Sequence, residues 1–197
     1  MHLALYNHTV AAVKETQLPY LIIDETQQYG NGFAEKFCNA IEYCFGKGFQ
    51  NIITVGSDCA TLKASDLLAA DRQLQHNNSS LGADVHGGFF MLALKRKFYR
   101  RNAFLQFNWG GRQLSSEIKA FFTNIFAQDL LVQGCGTDIN STKDLAAVVG
   151  KKNTPSFFRL LRFLITSFFE YRIIPSNASS FQYANSLGLR GPPSLVL

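Results

Sequence analysis

The chain has 197 residues, 47% of them hydrophobic and 17% charged, which excludes a disordered polypeptide and allows one sizeable core rather than two. No apolar stretch reaches the roughly 18 residues of a membrane span, and the opening MHLALYNHTV lacks the basic start and long apolar run of a signal peptide. The net charge of +5 is unevenly placed: residues 1–150 hold 13 Lys+Arg and 13 Asp+Glu, whereas residues 151–197 hold Lys151, Lys152, Arg159, Arg162, Arg172 and Arg190 against Glu170 alone.

In chain order, residues 3–15 predict a helix with Leu3, Tyr6, Val10 and Val13 on one face. PYLIID (19–24) is a short apolar run with no room for a helix and reads as a buried strand. GNGFAEKFCNAIEYCFGKG (30–48) sets Phe33, Phe37, Ile41 and Phe45 at helical spacing and stops at Gly46 and Gly48. NIITVG (51–56) is a second buried strand, and ASDLLAADRQLQ (64–75) a helix that Ser65 could cap. SSLGA (79–83) and GFFMLAL (88–94) read as strands, with Gly87 and Gly88 between them. KRKFYRR (95–101) reads as a solvated loop and helix start. Residues 112–127 predict a helix, DLLVQG (129–134) a strand, and STKDLAAVVG (141–150) a short helix capped by Ser141.

Strands alternating with helices predict an α/β sandwich with a mostly parallel sheet. The pattern breaks near Gly150, so the chain divides into a domain over 1–150 and a basic tail over 151–197. In that tail SFFRLLRFLITSFFE (156–170) predicts a helix with Arg159, Arg162, Thr166 and Glu170 as its polar stripe. Its apolar face is too wide for water, which favours packing on the domain or on a second subunit over lying on a membrane surface. Nucleic-acid binding is disfavoured, because the arginines interleave with that apolar face rather than forming a basic stripe. Cys38, Cys44, Cys59 and Cys135 match no zinc or redox spacing and suit a reducing cytoplasm.

Asp58 closes the NIITVG strand in a Gly-Ser-Asp-Cys turn. In open sheets ligands sit at the carboxyl ends of strands, and a hard carboxylate there suits Mg²⁺ or Mn²⁺ with substrate phosphates. Aspartate is equally favoured at N-caps and turns, so this turn alone reads as structural. Two more stretches add oxygen ligands and backbone access. The glycines of GADVHGGFFMLAL let a backbone pass close to a ligand, and GTDINSTKDL puts Asp138 and Asn140 at another strand-to-helix turn.

The order G-S-D-C, G-A-x-x-H-G-G-F-F, F-N-W, D-I-N-S-T-K-D-L resembles an uncharacterised family of small bacterial GT-A-like proteins, relatives of nucleotide-diphospho-sugar transferases and of nucleotidyltransferases. The likeness runs from about residue 3 to about residue 149 and includes GNGFAEKFCNAI. It implies a Rossmann-like GT-A three-layer α/β/α sandwich that binds a nucleotide or nucleotide-sugar with Mg²⁺ or Mn²⁺. It implies Asp58 and Asp138 as metal ligands, and Ser57, Cys59, Gly87, Gly88 and Trp109 on the substrate side. Two positions depart from the family. His86 replaces the aspartate of Asp-Gly-Gly. It could ligate a metal or hydrogen-bond a sugar and is the candidate general base by chemistry, but an unengaged surface imidazole is favoured. Asn140 replaces a second aspartate, which weakens a metal site there. Asp84, two residues upstream of His86, is not expected to substitute for the lost carboxylate. A third departure is that the family's first strand and its Gly-rich basic loop have no counterpart before the opening helix. PPSLVL (192–197) is a candidate to fill that strand position, in cis or from a second subunit. The implied activity is a metal-dependent glycosyltransferase or nucleotidyltransferase; the alternative is a degenerate relative that binds a ligand or partner without turnover.

Overall fold

The computed structural model describes residues 2–136 and 195–196, which belong to one compact unit formed by Met1–Asp138 and Gly191–Leu197. The expectations placed on Asp138, Asn140, Ser141 and the helix over 156–170 lie outside the described residues.

A mixed sheet runs through the middle of this unit. Its strands are β1 (Asn51–Val55), β2 (Ser80–Asp84), β3 (Phe89–Lys95), β4 (Leu131–Gly136) and β5 (Leu195–Val196), in the order β4-β2-β3-β1-β5. The helices are α1 (His2–Glu15), α2 (Gly32–Gly46), α3 (Ala64–Gln75), α4 (Arg101–Gln106) and α5 (Leu114–Phe126).

The period of two in the strand sequences splits the core into two layers. Ile52, Leu81, Leu92 and Leu94 meet Phe37, Ile41 and Phe45 of α2, Phe104 of α4, and Ile118 and Phe122 of α5. Ile53, Val55, Met91 and Ala93 face the other way, onto Ala12 and Val13 of α1 and Leu67, Ala70 and Leu74 of α3. The expected α/β/α layering is therefore present, with helices on both faces.

The expected mostly parallel sheet is not. Only β2 and β4 pair in parallel; β1–β3, β2–β3 and β1–β5 are antiparallel. The reason is local. Only residues 85–88 join β2 to β3, far too few for a parallel crossover. Asp84 N–H donates to Gly88 O (3.0 Å) and Gly87 N–H to Asp84 O (3.2 Å), which closes a hairpin turn.

PYLIID forms no strand. Ile23 is buried at 5% exposure in the α2-side core, and its carbonyl accepts from Gln28 Nε2 at 3.0 Å. The apolar run is used as a packed loop, with its backbone outside the sheet. On α1 the buried face is Leu5, Thr9, Ala12 and Val13, while Leu3 is 70% exposed. On α3 the cap is not Ser65: Lys63 N–H donates to the Asp66 carboxylate at 3.0 Å, one half of a capping box.

The KRKFYRR cluster is less solvated than its sequence suggests. Lys95 Nζ donates to Leu74 O and Asn77 Oδ1, both at 2.9 Å. Arg96 donates to Phe45 O at 3.1 Å, and Arg101 pairs with Glu42 at 2.6 Å. These cations tie the end of β3 to α2 and α3.

Candidate functional site

Strand directions decide where a site can be. β1 and β2 both run antiparallel to β3, and β4 runs parallel to β2, so β1, β2 and β4 share one direction. Their carboxyl ends meet at one edge of the sheet. The 56–60 turn leaves β1 there, the 85–88 hairpin leaves β2 there, and β4 ends there at Gly136. This is the position at which open α/β sheets bind ligands.

Asp58 sits on the first of these turns. Gly56 N–H still donates to Phe90 O (2.8 Å), so the β1 ladder continues to within two residues of it. The carboxylate is half-buried, and among the described residues it has no hydrogen-bond or ion-pair partner. A charge at a strand end must be paired, hydrated or used to bind a ligand, and the described residues supply no pair for this one. Ser57 beside it is half-buried. Cys59 is fully buried in the core on the α1 and α3 side, its Sγ 3.6 Å from Thr61 Oγ1.

The β2–β3 hairpin brings Asp84, His86, Gly87 and Gly88 to the same edge. His86 is exposed and Asp84 is buried, at 7% exposure. Gly87 has φ +89°, and a Cβ there would run into the Arg112 backbone carbonyl. Its own carbonyl accepts from Ser115 N–H and Ser115 Oγ, both at 3.0 Å. The close backbone approach that the paired glycines permit is therefore to the chain's own 110–115 segment. At Gly88 a Cβ would meet nothing nearer than Asp84 Oδ2 at 3.8 Å.

Trp109 belongs to an aromatic cluster. Its ring centroid lies 4.9 Å from Phe37, 5.1 Å from Phe33 and 6.0 Å from Phe89. Its indole N–H donates to Phe104 O at 2.7 Å. The half-buried ring thus links α2, β3 and the 107–111 turn, with its polar atom already used.

Sequence reasoning named Asp84 and set it aside; the residue is buried, with Oδ2 3.8 Å from where a Gly88 Cβ would stand. What it missed is the GGRQLS segment, which seats the exposed Arg112 against the hairpin. A second glycine pair, Gly110–Gly111, was the available signal for a tight turn there. Among the described residues no three His, Cys, Asp or Glu side chains converge on one metal-sized site.

Residues 2–111 match a family described as an uncharacterized protein conserved in bacteria, DUF2064. The chain belongs to that family. It is similar to the crystal structure of a "putative nucleotide-diphospho-sugar transferase" from Desulfovibrio desulfuricans G20, with a TM-score of 0.64 at 19% identity. The similarity covers 73% of this chain and 64% of that one. At this identity the likeness is one of fold. No curated protein matches the DUF2064 chain. Among the described residues no helix is long and apolar enough to cross a membrane.

Proposed function

We propose that this DUF2064 protein binds a nucleotide-sugar or nucleoside triphosphate at the carboxyl edge of its sheet and acts as a metal-dependent glycosyltransferase or nucleotidyltransferase. The observation that carries the reading is the Asp58 carboxylate, held at that edge with no partner among the described residues. A buried, already hydrogen-bonded aspartate would have argued for a turn.

Asp58 offers the hard oxygen that a magnesium or manganese ion takes from one or two protein carboxylates, the rest of its shell being water and phosphate oxygens. Asp58 is the first such ligand and Asp138, two residues beyond the end of β4, is the proposed second. The ion would supply charge neutralisation for a diphosphate leaving group. Asp58 fixes where that charge is met, and the hairpin at Gly87–Gly88 limits the approach to one side. Arg112 adds a cation near the turn, available to an anionic substrate.

His86 is the candidate proton acceptor, being an exposed imidazole on the hairpin. A second reading, binding without turnover, is favoured by Trp109 and Cys59, whose side chains are committed to packing. The two readings separate in one assay. Mn²⁺-dependent release of nucleoside diphosphate from a nucleotide-sugar, or of pyrophosphate from a nucleoside triphosphate, lost in Asp58→Ala and reduced in His86→Ala, supports the enzyme. Binding without release in the wild type supports the second reading.

A further inference from the structure

β1 is buried on both faces yet lies next to the edge of the sheet. Ile52, Ile53, Thr54 and Val55 are all 3% exposed or less, covered on both faces by helices. On one side β1 pairs along its whole length with β3. On the other its only strand neighbour among the described residues is β5, through Ile53↔Val196 and Thr54↔Leu195.

The hydrogen-bond phase shows which groups this second edge presents. Arg96 N–H donates to Gln50 O and Gly56 N–H to Phe90 O, both at 2.8 Å, at the two ends of the β1–β3 ladder. In an antiparallel pair the bonded positions alternate, so residues 52 and 54 also bond to β3. Asn51, Ile53 and Val55 therefore turn their N–H and C=O groups to the other edge, where β5 meets Ile53. An apolar strand with open backbone groups is a template for another extended chain.

We infer that the outer edge of β1 is a strand-acceptor site whose occupant is this chain's own Leu195–Val196 segment, bound in cis and replaceable by a peptide of the same sequence. The occupant is argued from register and grouping. β5 lies in the same compact unit as residues 1–138. It sets two apolar residues, Leu195 and Val196, in register with Thr54 and Ile53 of buried β1. The site is independent of the nucleotide reading, since it needs neither Asp58 nor a metal.

The test uses the full chain. In Val196→Pro the ring removes the backbone N–H that pairs with Ile53. Hydrogen exchange at the Ile53 amide should rise at least about tenfold, while Ile52 and Thr54, bonded to β3, stay protected. Excess peptide of sequence PPSLVL, added to that variant, should restore Ile53 protection. Unchanged Ile53 exchange in Val196→Pro, or no rescue by the peptide, overturns the proposal.

A second variant guards against misfolding and reads out which copy supplies the strand. Thr54→Cys with Leu195→Cys places two thiols opposite one another in register, within disulfide reach. A 54–195 disulfide inside one chain is the expected product on mild oxidation. A 54–195 disulfide between two chains overturns the assignment in cis in favour of a second copy. No such disulfide overturns the pairing itself.

Discussion

Asp58 answers to a different rule from the other residues of its turn. Its carboxylate has no partner among the described residues, so removing it should cost the fold little. Asp58→Ala is expected to stay within about 0.5 kcal/mol of wild type in denaturant unfolding. A loss of several kcal/mol would make it a structural turn residue instead. Gly87 is the opposite case. Its positive φ and its contact with the Arg112 backbone leave no room for a side chain. Gly87→Ala should lower stability by roughly 2–4 kcal/mol, and Gly88→Ala by clearly less. Equal effects at the two glycines would contradict the described packing of the hairpin. Cys44 carries a third residue-scale consequence. Burial pushes its thiol from an ordinary 9.0 up to about 11, and burial raises Cys38 and Tyr99 as well. In the unfolded chain the Cys44 thiol ionises above about pH 9, while the folded protein keeps its proton until about pH 11. The stabilising contribution is thus complete below pH 9 and lost by about pH 11, amounting to about 3 kcal/mol for this group. Urea midpoints at pH 8, 9.5 and 10.5 should fall in that order; a flat profile would contradict it.

Among the elements, α1 shows how far periodicity reaches. Helix existence was legible from the apolar spacing, but the buried face was not. Leu3, Tyr6, Val10 and Val13 form one plausible stripe, and Leu5, Thr9, Ala12 and Val13 form the one that packs. The second stripe contains a threonine, so hydrophobicity alone ranks it lower. Leu5→Ala should cost about 2–4 kcal/mol, and Leu3→Ala less than about 0.5 kcal/mol, measured by thermal or urea unfolding. The reverse order would return the helix to its sequence-based face. PYLIID shows the complementary limit. Strand formation needs a neighbour to pair with, and a segment's own composition does not say whether one exists. The β2–β3 hairpin was legible in principle, because the short Gly-Gly connector already forbids a parallel crossover. Strand–helix alternation elsewhere in the chain hid that local signal. Trp109 was visible as a rare residue in the sequence. Its place among Phe33, Phe37 and Phe89 depends on contacts between elements far apart in the chain.

At the scale of the molecule, topology gathers the turns after β1 and β2 and the end of β4 at one edge, and the basic KRKFYRR cluster at the amino-terminal end of β1 and the carboxyl end of β3, opposite it. The α/β class, the layering and the location of Asp58 followed from strand ends and short motifs. Sheet polarity and the Arg112 segment did not, since both arise from pairing at a distance. Membership of DUF2064 over residues 2–111 gives the family, the Desulfovibrio protein shares the fold, and Asp58 gives the proposed function its candidate chemistry. The central claim is that this aspartate holds a metal-bound diphosphate. Calorimetric titration of nucleoside diphosphates and nucleotide-sugars, with and without Mn²⁺, tests it on wild type and Asp58→Ala. The account predicts binding by wild type only with Mn²⁺, and at least about a hundredfold weaker binding by the variant. Equal affinity in both proteins, or binding indifferent to Mn²⁺, would contradict it.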